Sequence, residues 1–477
     1  MGGVTGARQP VLRPFFIHKS SPPRPGGEVR RSAPRGRQTV RAVFTPHTLE
    51  VVVVSFEGPD QYSQAGGLGV RARELCRAFA ARGYATTLVF VGDPTLPMEE
   101  KDAGVRLVRW AQASSRRHPA GVYAGEVEKM RELLRTLPSW LVDNVVRPAA
   151  ASGRVVAMLF EEWQTARLCR ILSDRLHAEG LRDRAALLWN ANNHFGFDGI
   201  DWGALDFVAS ITTVSRYMKH LMWPFDVNPV VIPNGIPESA LAPLDGPAVR
   251  TIRAAAGTPC FAFKIGRFSP DKRWHQAVAA IAELRAEGLP ARLLMRGGIE
   301  PFGAEVLGFA RRVGLTVVDW YEPVEDASGI VAALSETQGA PIVNLCRFLP
   351  DDVIAEIHAA ATAVVANSRH EPFGLVGLEA MAAGGVAMVG ATGEEYARPY
   401  GNAVVIETDD PTEVASALRG LVEQPALSRR LRQAARRDAA DFSWPLVVDG
   451  LLERLRFMCL HQRVLLPADG QVRMRSR

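Results

Sequence analysis

The first half of the chain alternates short apolar runs with stretches of helical periodicity. Residues 49–56 are apolar at most consecutive positions, which is typical of a strand buried on both faces of a parallel sheet. After Gly66–Gly69, apolar residues recur at helical spacing as far as Gly83. The alternation predicts an α/β fold with a doubly wound parallel sheet. Similar apolar runs predict further strands at 86–91, 154–160, 185–191, 209–214 and 229–232.

The second half of the chain repeats this alternation. Strands are predicted at 260–265, 291–295, 315–319, 363–365, 386–389 and 403–406, and helices at 274–286, 303–313, 350–361, 375–383, 411–421, 427–440 and 445–457. The segment Pro233–Pro237 separates the halves, as expected of a hinge beside a cleft. We therefore expect a basic N-terminal extension (1–46), an N-terminal domain (47–235), a C-terminal domain (236–440), a C-terminal helix that crosses back to the N-terminal domain (441–462) and a tail (463–477).

Composition and charge exclude several classes of protein. The chain has 477 residues, of which 47% are hydrophobic, so it is long enough for two or three folded domains. The net charge is +5, but nine basic side chains and a single acid, Glu28, fall within the first 43 residues, so the remainder is slightly acidic. Without a zinc-finger or RNA-binding signature, a nucleic-acid partner is not expected. The basic segment resembles an organelle transit peptide, an overcalled start or a disordered tail, and these three interpretations stay open.

The cysteines and the longest apolar runs bear on the cellular compartment. The five cysteines lie far apart and form no CxxC pair, which argues against a disulfide framework and a structural zinc site. No uncharged apolar run reaches the roughly 18 residues that a membrane-spanning helix needs. We therefore expect a cytoplasmic protein with no transmembrane segment, and the sequence leaves its oligomeric state open.

The densest group of candidate functional residues is Ser368–Met381, which follows a predicted strand and opens a predicted helix. Pro372 and Gly374 predict a tight turn, and the next helix would present free N–H groups and its positive dipole end to an anion such as phosphate. Glu371 and Glu379 are eight residues apart and suit hydroxyl groups, one of a sugar and the other of a ribose. The alternative interpretation is that Glu371 is an acid of an ordinary loop and Glu379 a solvated acid on a helix.

Two further groups lie after predicted strands. Arg267 and Lys272 follow the strand that opens the second half, where ligands of open α/β sheets bind and where two cations would neutralise a diphosphate. A charged surface loop is the alternative interpretation. The glycines of Gly66–Gly69 allow close backbone approach to a ligand, but their spacing is not the GxGxxG of dinucleotide-binding proteins.

Together these motifs resemble those of retaining glycosyltransferases with the GT-B fold, specifically glycosyltransferase family 4 (group 1), which includes glycogen and starch synthase-like enzymes. Glu371 to Glu379 is similar to the family's E-x7-E motif, and Arg267 with Lys272 to its diphosphate-binding pair. Three further segments match family motifs: Glu161–Ala166 is similar to HDW(H/Q)TA, Thr212–Ser215 to TTVS and Asn234–Ile236 to NGI. The resemblance implies two Rossmann-like domains that face a central cleft.

The resemblance also implies a reaction and a set of site residues. The reaction is transfer of a sugar, with glucose expected, from a nucleoside diphosphate sugar to a soluble sugar or polyol acceptor, with an α-glucan as one candidate. No metal and no cofactor beyond the donor would be required. The implied catalytic residues are Glu371, Arg267 and Lys272, and the implied donor-binding residues are Glu379, Phe373, Gly374, Leu375, Gly66 and Gly67.

The departures from the family pattern fall in the first half, where acceptors bind. Gln64 stands where ADP-glucose-dependent relatives have Lys, Glu161 replaces a His, and a strand-end His is replaced by Asn192. Either His194 takes the role of that His with a shifted loop, or an amide does, or neither does, and these alternatives stay open. Trp163, Gln164, Asn192 and His194 are expected on the acceptor or sugar side. Recognition of the donor base is expected at a loop near 343–345. The alternatives are a non-catalytic sugar-nucleotide-binding subunit and a GT-B sugar-nucleotide epimerase or phosphorylase.

Overall fold

The computed structural model describes residues 44–392 and 395–466. All but the last three residues of the expected N-terminal extension lie outside these ranges. The first half forms one sheet within the described residues, with strands β1 (Leu49–Val54), β2 (Ala85–Val91), β3 (Glu99–Asp102), β4 (Val105–Trp110), β5 (Val155–Glu161), β6 (Ala185–Ala191), β7 (Ser210–Thr213) and β8 (Val230–Val231).

The strand order of the first sheet is β3-β4-β2-β1-β5-β6-β7-β8. Every neighbouring pair is parallel except β3 and β4, which are antiparallel. The chain runs outward from β1 to β2 and later resumes on the other side of β1 with β5. The carboxyl ends of β1 and β5 therefore border a topological switch point, where α/β sheets bind their ligands.

The helices of the first half surround this sheet. They are α1 (Gly67–Ala81), α2 (Gln112–Arg117), α3 (Glu126–Leu141), α4 (Arg147–Ala151), α5 (Trp163–Ala178), α6 (Trp202–Val208) and α7 (Arg216–Met222). Val51–Val54 of β1 are almost completely buried, because helices cover both faces of the sheet and leave no polar side for alternation.

The second half forms a separate parallel sheet. Its strands are β9 (Cys260–Ile265), β10 (Ala291–Arg296), β11 (Val317–Trp320), β12 (Ile342–Leu345), β13 (Ala363–Ala366), β14 (Ala387–Gly390) and β15 (Val404–Ile406). Their order is β11-β12-β10-β9-β13-β14-β15, so the switch point lies between β9 and β13. The helices are α8 (Gly246–Ala255), α9 (Trp274–Ala286), α10 (Phe302–Arg312), α11 (Ala327–Glu336), α12 (Asp351–Ala360), α13 (Leu375–Ala382), α14 (Pro411–Glu423), α15 (Pro425–Ala439) and α16 (Trp444–His461).

The predicted fold class, two doubly wound parallel sheets, is confirmed. Strands β3, β4 and β12 were not predicted, and the expected loop near 343–345 is a strand instead. That the donor base is recognised near these residues stays a prediction. Those residues form most of β12, where Val343, Asn344 and Leu345 are buried between β10 and β11. Four residues are too few to show strand periodicity, and a polar Asn344 within so short a run favours a loop interpretation.

Helix α16 begins after the second sheet and packs on the first. Trp444, Val448 and Leu455 are buried in the same apolar core as Leu75 and Phe79 of α1. The contact at its start is close, since the Trp444 N–H donates to the Ile236 carbonyl oxygen at 2.9 Å. A Cβ atom at Gly235 would lie 2.6 Å from the Trp444 ring, so a larger residue would displace the helix.

Two of the expected domain limits need correction. Phe44, assigned to the extension, is 4% exposed, and its carbonyl oxygen accepts a hydrogen bond from Tyr84 Oη at 3.2 Å. Val464, assigned to the tail, is also 4% exposed and belongs to the same core as α16. Both residues are apolar and lie beside the first sheet, so the folded region extends past each predicted limit. Among the described helices, none is both long and apolar enough to cross a membrane.

Replacing Trp444 tests how strongly α16 holds the two halves together. Because the Trp444→Ala variant leaves a large cavity at the start of α16, we expect its free energy of unfolding to fall by about 3–5 kcal/mol. Urea unfolding measures this loss. Phe457 lies on the same helix but is 64% exposed, so Phe457→Ala should change stability by less than about 0.5 kcal/mol. Equal stabilities for the two variants would contradict the packing role of α16.

Candidate functional site

Two loops meet at the switch point of the second sheet. One loop follows β9 and contains Arg267 and Lys272, and the other follows β13 and leads into α13. The Arg369 N–H donates to the Asp271 carbonyl oxygen at 2.8 Å and joins the loops. Because β9 and β13 are neighbouring parallel strands, their following loops emerge at the same edge.

This edge brings together Lys272 and Glu371, which are 99 residues apart in the sequence. The Lys272 ammonium group donates to Glu371 Oε2, and the side chains are 23% and 21% exposed. The Glu371 N–H donates to Thr392 Oγ1 at 3.1 Å, which fixes the backbone on the other side. The result is a paired cation and carboxylate, both accessible to a ligand from the cleft.

Arg267 lies on the same loop but is placed differently. Its side chain is exposed, and its guanidinium group has no hydrogen-bond or ion-pair partner within residues 44–392 and 395–466. Its backbone is anchored, since Trp274 Nε1 donates to the Arg267 carbonyl oxygen at 2.9 Å. The loop therefore presents one unpaired cation beside the Lys272–Glu371 pair.

A buried lysine that was not predicted from the sequence lies beneath these loops. Lys264 of β9 is 2% exposed, and its ammonium group donates to the Val365 carbonyl oxygen at 3.0 Å and to Asn367 Oδ1 at 2.6 Å. Burial holds its pKa well below the usual value, with a further contribution from Lys272. The sequence did contain a signal for this residue, because Lys264 is the one charged residue in the apolar run Cys260–Ile265. Lys264 positions the start of the loop that carries Glu371.

The N-terminus of α13 is arranged as an anion site. Gly374 precedes the helix with φ +79°, a conformation that favours glycine, and no side chain caps the helix. Tyr396 Oη donates to the Gly374 carbonyl oxygen, and Phe373 is buried against the Tyr396 ring. The N–H groups of the first turn, which include that of Leu375, have no side-chain acceptor among the described residues. They lie at the positive end of the helix dipole, where an anion can accept their hydrogen bonds.

Glu379 lies in the same helix, α13. More than a third of its surface is open to solvent, yet protein surrounds the carboxyl group on its other sides. This partial burial raises its pKa above the usual value, and the Asp351 carboxylate adds to the effect. Because the residue is exposed, a ligand can reach it. It can accept hydrogen bonds from ligand hydroxyl groups.

In the first half, the glycine loop Gly66–Gly69 donates hydrogen bonds to a carboxylate of the protein itself. The N–H groups of Gly66 and Gly69 donate to Glu57 Oε2 at 3.0 Å and 3.3 Å. A Cβ atom at Gly67 would meet no atom of the described residues within 4 Å beyond its own chain neighbours, so the space beside it is open. Glu57 was not predicted from the sequence, although an acid directly after the apolar strand β1 was a usable signal. That Gly66 and Gly67 contact the donor stays a prediction.

Two adjacent carboxylates end β5. Glu161 is fully buried and accepts hydrogen bonds at Oε2 from Asn190 at 2.8 Å and Asn192 at 2.7 Å. Glu162 is 2% exposed, and its Oε1 accepts the Asn192 N–H at 2.7 Å. Its φ of +69° is uncommon for a non-glycine residue and marks a strained backbone at the carboxyl edge of the sheet. Burial raises the pKa of Glu162 to about 8, and Glu161 adds to the rise.

The four residues expected on the acceptor or sugar side do not all lie together. Asn192 joins the Glu161–Glu162 cluster, and Gln164 Nε2 donates to Glu126 Oε1 at 2.9 Å beside it. Trp163 begins α5 and packs against the loop at Gly196, where a Cβ atom would lie 2.5 Å from its ring. His194 is exposed and stacks on Phe195 at 5.5 Å, outside the cluster. Their contact with substrate stays a prediction.

The two halves contact each other across the cleft. Arg216 of α7 pairs with Glu395 at 2.5 Å, and Tyr217 Oη lies 3.2 Å from His370 Nδ1, next to Glu371 in sequence. A cavity of about 510 Å³ lies along this junction. Within the described ranges, no group of three His, Cys, Asp or Glu side chains is arranged to hold a metal ion. That no metal or cofactor is needed stays a prediction.

Family models match successive parts of the chain. The model described as Glycosyltransferase Family 4 matches residues 65–240, and the model described as Glycosyl transferases group 1 matches residues 248–438. Together they include the glycine loop, the end of β5 and both loops that carry Lys272 and Glu371. The chain is a group 1 glycosyltransferase of family 4. The family resemblance predicted from its motifs is therefore confirmed, as is the prediction that it is an enzyme that transfers a sugar.

Relatives and structural neighbours agree with this family. The glycosyltransferase is 26% identical over 425 residues to the D-inositol 3-phosphate glycosyltransferase of Geodermatophilus obscurus, an alignment that covers 85% of this chain and 87% of the relative. Its structure is similar to that of sucrose-phosphate synthase from Thermosynechococcus elongatus, with a TM-score of 0.59, 21% identity and coverage of 86% and 99%. The catalytic domain of starch synthase IV from Arabidopsis thaliana gives a TM-score of 0.61, 15% identity and coverage of 87% and 99%. At these identities, the two structural likenesses show the fold alone.

The raised pKa of Glu162 makes stability depend on pH in a defined direction. Folded Glu162 titrates near pH 8 and the unfolded carboxyl group near 4.5, so the folded state holds a proton that the unfolded chain releases between these values. This stabilisation is complete below about pH 4.5 and is lost as the pH rises through 8. Between about pH 6 and pH 9, we expect the wild type to lose roughly 2–3 kcal/mol more than Glu162→Gln, as measured by urea unfolding.

A matched control separates this effect from general pH effects. Glu322 is exposed, so the pH profile of Glu322→Gln should follow that of the wild type. If Glu162→Gln also followed the wild type, Glu162 would not hold its proton in the folded enzyme.

Proposed function

We propose that this glycosyltransferase moves a hexosyl group, with glucose as the first candidate, from a nucleoside diphosphate sugar to a small soluble hydroxylated acceptor with retention at the anomeric carbon. The observation that carries the proposal is the Lys272–Glu371 pair beside the uncapped N-terminus of α13. An open cation, an open carboxylate and free N–H groups together match a diphosphate joined to a sugar.

The donor is held at the second sheet. Its diphosphate lies against the first turn of α13 and accepts hydrogen bonds from Lys272 and Arg267. Glu371 accepts hydrogen bonds from hydroxyl groups of the sugar, and Glu379 from those of the ribose. Before the donor binds, Lys272 and Glu371 neutralise each other, so neither charge is left uncompensated.

The transfer step needs only these groups. The bond between the anomeric carbon and the β-phosphate oxygen breaks, and the acceptor oxygen forms the new bond to that carbon on the same face. The acceptor proton passes to the departing phosphate oxygen, so the leaving group serves as the base. Lys272, Arg267 and the helix N-terminus stabilise the negative charge as it develops on the diphosphate.

The names of the relatives support a small acceptor more than an α-glucan. The aligned curated relative is named for inositol 3-phosphate, whereas the likeness to starch synthase rests on fold at 15% identity. The proposal therefore keeps the soluble hydroxylated acceptor and gives the α-glucan second place.

Nucleotide binding tests the donor site without an acceptor. Because a ligand that binds only the folded state stabilises it, we expect UDP, ADP or GDP to raise the thermal midpoint, by an amount that corresponds to about 2.7 kcal/mol at 100 times the dissociation constant. NAD should give no shift. Lys272→Ala should abolish the nucleotide shift, and Lys101→Ala, at an exposed lysine of β3, should keep it. A full shift in Lys272→Ala would contradict the assigned phosphate contact.

Activity tests the role of Glu371. In Glu371→Gln, we expect kcat to fall by roughly 100-fold or more, because the carboxylate that orients the donor sugar is lost. The free energy of unfolding should change by less than about 1 kcal/mol, since the ion pair with Lys272 is partly exposed. Glu336→Gln, at an exposed position of α11, is the control. NMR of the product reports whether the anomeric configuration is retained. Normal turnover in Glu371→Gln would remove Glu371 from the site.

A further inference from the structure

Four carboxylates gather at the carboxyl edge of the first sheet, in the half of the chain that does not carry the diphosphate site. We call Glu57, Glu126, Glu161 and Glu162 the acidic edge. Tyr123 connects three of them. Its hydroxyl group donates to Glu57 Oε1 at 2.6 Å, and burial raises its pKa, with further contributions from the carboxylates of Glu57, Glu162 and Glu126.

Glu57 fills the position where a phosphate would be expected. Its Oε2 atom accepts hydrogen bonds from the N–H groups of Gly66 and Gly69 at the start of α1. Helix N-termini preceded by glycines commonly bind phosphate through such N–H groups. Here the protein's own carboxylate takes the donors and adds a negative charge, so a second anion at this place would be repelled.

Two basic residues near the acidic edge are already paired with groups of the protein. The Arg71 guanidinium group is 3% exposed, donates to Asn234 Oδ1 and lies 3.4 Å from Glu161 Oε1. Lys129 is fully buried, and its ammonium group donates to the carbonyl oxygens of Gly121 and Val122 at 2.8 Å and 2.9 Å. Neither cation is available to neutralise a phosphate on an acceptor.

Unpartnered oxygen atoms at the acidic edge indicate what kind of ligand it takes. Glu162 Oε2 and Gln164 Oε1 have no hydrogen-bond partner in the described part of the chain, although the two residues are only 2% and 5% exposed. Buried polar atoms without partners are costly. The Gln164 amide oxygen can only accept and calls for a donor, whereas a protonated Glu162 calls for an acceptor, and a hydroxyl group can serve as both. Hydroxyl groups of a ligand supply donors, and phosphate oxygens do not. A protonated Glu162, whose pKa burial raises to about 8, can also donate to a hydroxyl oxygen.

A cavity of about 470 Å³ adjoins this edge and shares Tyr123 with it. No residue that lines it, among those the structure describes, is basic. The polar side chains in its lining are those of Gln61, Tyr62, Gln64, Asp93 and Tyr123. The cavity falls within the size range of small-molecule sites. Its lining offers hydrogen bonds and one further negative charge, but no cation.

We infer that the acceptor of this glycosyltransferase is an uncharged, hydroxyl-rich molecule that carries no phosphate, bound through the acidic edge and the adjoining cavity. The inference rests on the proposed function and narrows its acceptor class. It separates this enzyme from relatives and neighbours that are named for phosphorylated compounds, such as the D-inositol 3-phosphate glycosyltransferase of Geodermatophilus obscurus.

Matched acceptor pairs test the inference directly. Transfer from UDP-, ADP- and GDP-glucose is measured with inositol and inositol 3-phosphate, glucose and glucose 6-phosphate, and fructose and fructose 6-phosphate. We expect the uncharged member of at least one pair to accept glucose with a kcat/KM at least tenfold above that of its phosphate. Equal or greater kcat/KM for the phosphates would overturn the inference, and so would transfer to no uncharged member by an enzyme that binds nucleotide.

The same assay is repeated with a charge-neutralising variant. Glu57→Gln keeps an oxygen for the N–H groups of Gly66 and Gly69 but removes the charge, so the preference for the uncharged acceptor should fall at least fivefold. Glu413 is the matched control, because its carboxylate also accepts two backbone N–H groups, at 2.9 Å and 2.8 Å, but it lies on α14 of the second half. Glu413→Gln should keep the full preference. An unchanged preference in Glu57→Gln would remove Glu57 from the acceptor site.

The nucleotide-binding experiment distinguishes a failure of the proposed function from a failure of the inference about the acceptor. If no nucleoside diphosphate binds in a Lys272-dependent manner, the proposed function itself is wrong. If nucleotide binds and the phosphorylated acceptors are preferred, the donor site stands and only the inference about the acceptor is wrong.

Discussion

The position of most candidate site residues depends on one constraint, the change of direction in strand order within each parallel sheet. In the first sheet it falls between β1 and β5, and in the second between β9 and β13. Loops after neighbouring parallel strands leave the sheet at the same edge, and at a switch point they turn to opposite sides and leave a crevice. Glu57 and Glu162 border one crevice, and Lys272 and Glu371 the other.

The two edges that face the cleft differ in charge: the edge of the second sheet is cationic and the edge of the first sheet is acidic. The second sheet contributes an open Arg267, a paired Lys272 and the positive end of α13, which suit a leaving diphosphate. The first sheet contributes carboxylates, and the nearby cations Arg71 and Lys129 are buried and already paired with groups of the protein. A sugar held between them would have its leaving group on the cationic side and its acceptor on the acidic side.

Buried polar groups hold these edges in place. Lys264 lies beneath the loops that carry Lys272 and Glu371 and binds the start of the Glu371 loop through Asn367. Glu161 binds Asn190 and Asn192 within the acidic edge. Such groups are costly to bury unless hydrogen bonds satisfy them, so each one specifies a single local arrangement. The strained φ of Glu162 is maintained by the same network, since its N–H donates to the Asn190 carbonyl oxygen at 2.9 Å.

The sequence by itself determined the fold class and the motif from Glu371 to Glu379, because both are local. Apolar runs such as Cys260–Ile265 mark buried parallel strands, and the spacing of Glu371, Gly374 and Glu379 is set by one turn and one helix. Only the tertiary structure decided what those motifs contact. It paired Lys272 with Glu371 across 99 residues and directed Glu57 onto the glycine loop. It also buried Glu162 and left His194 in solvent, because burial and charge pairing arise between segments that are distant in the chain.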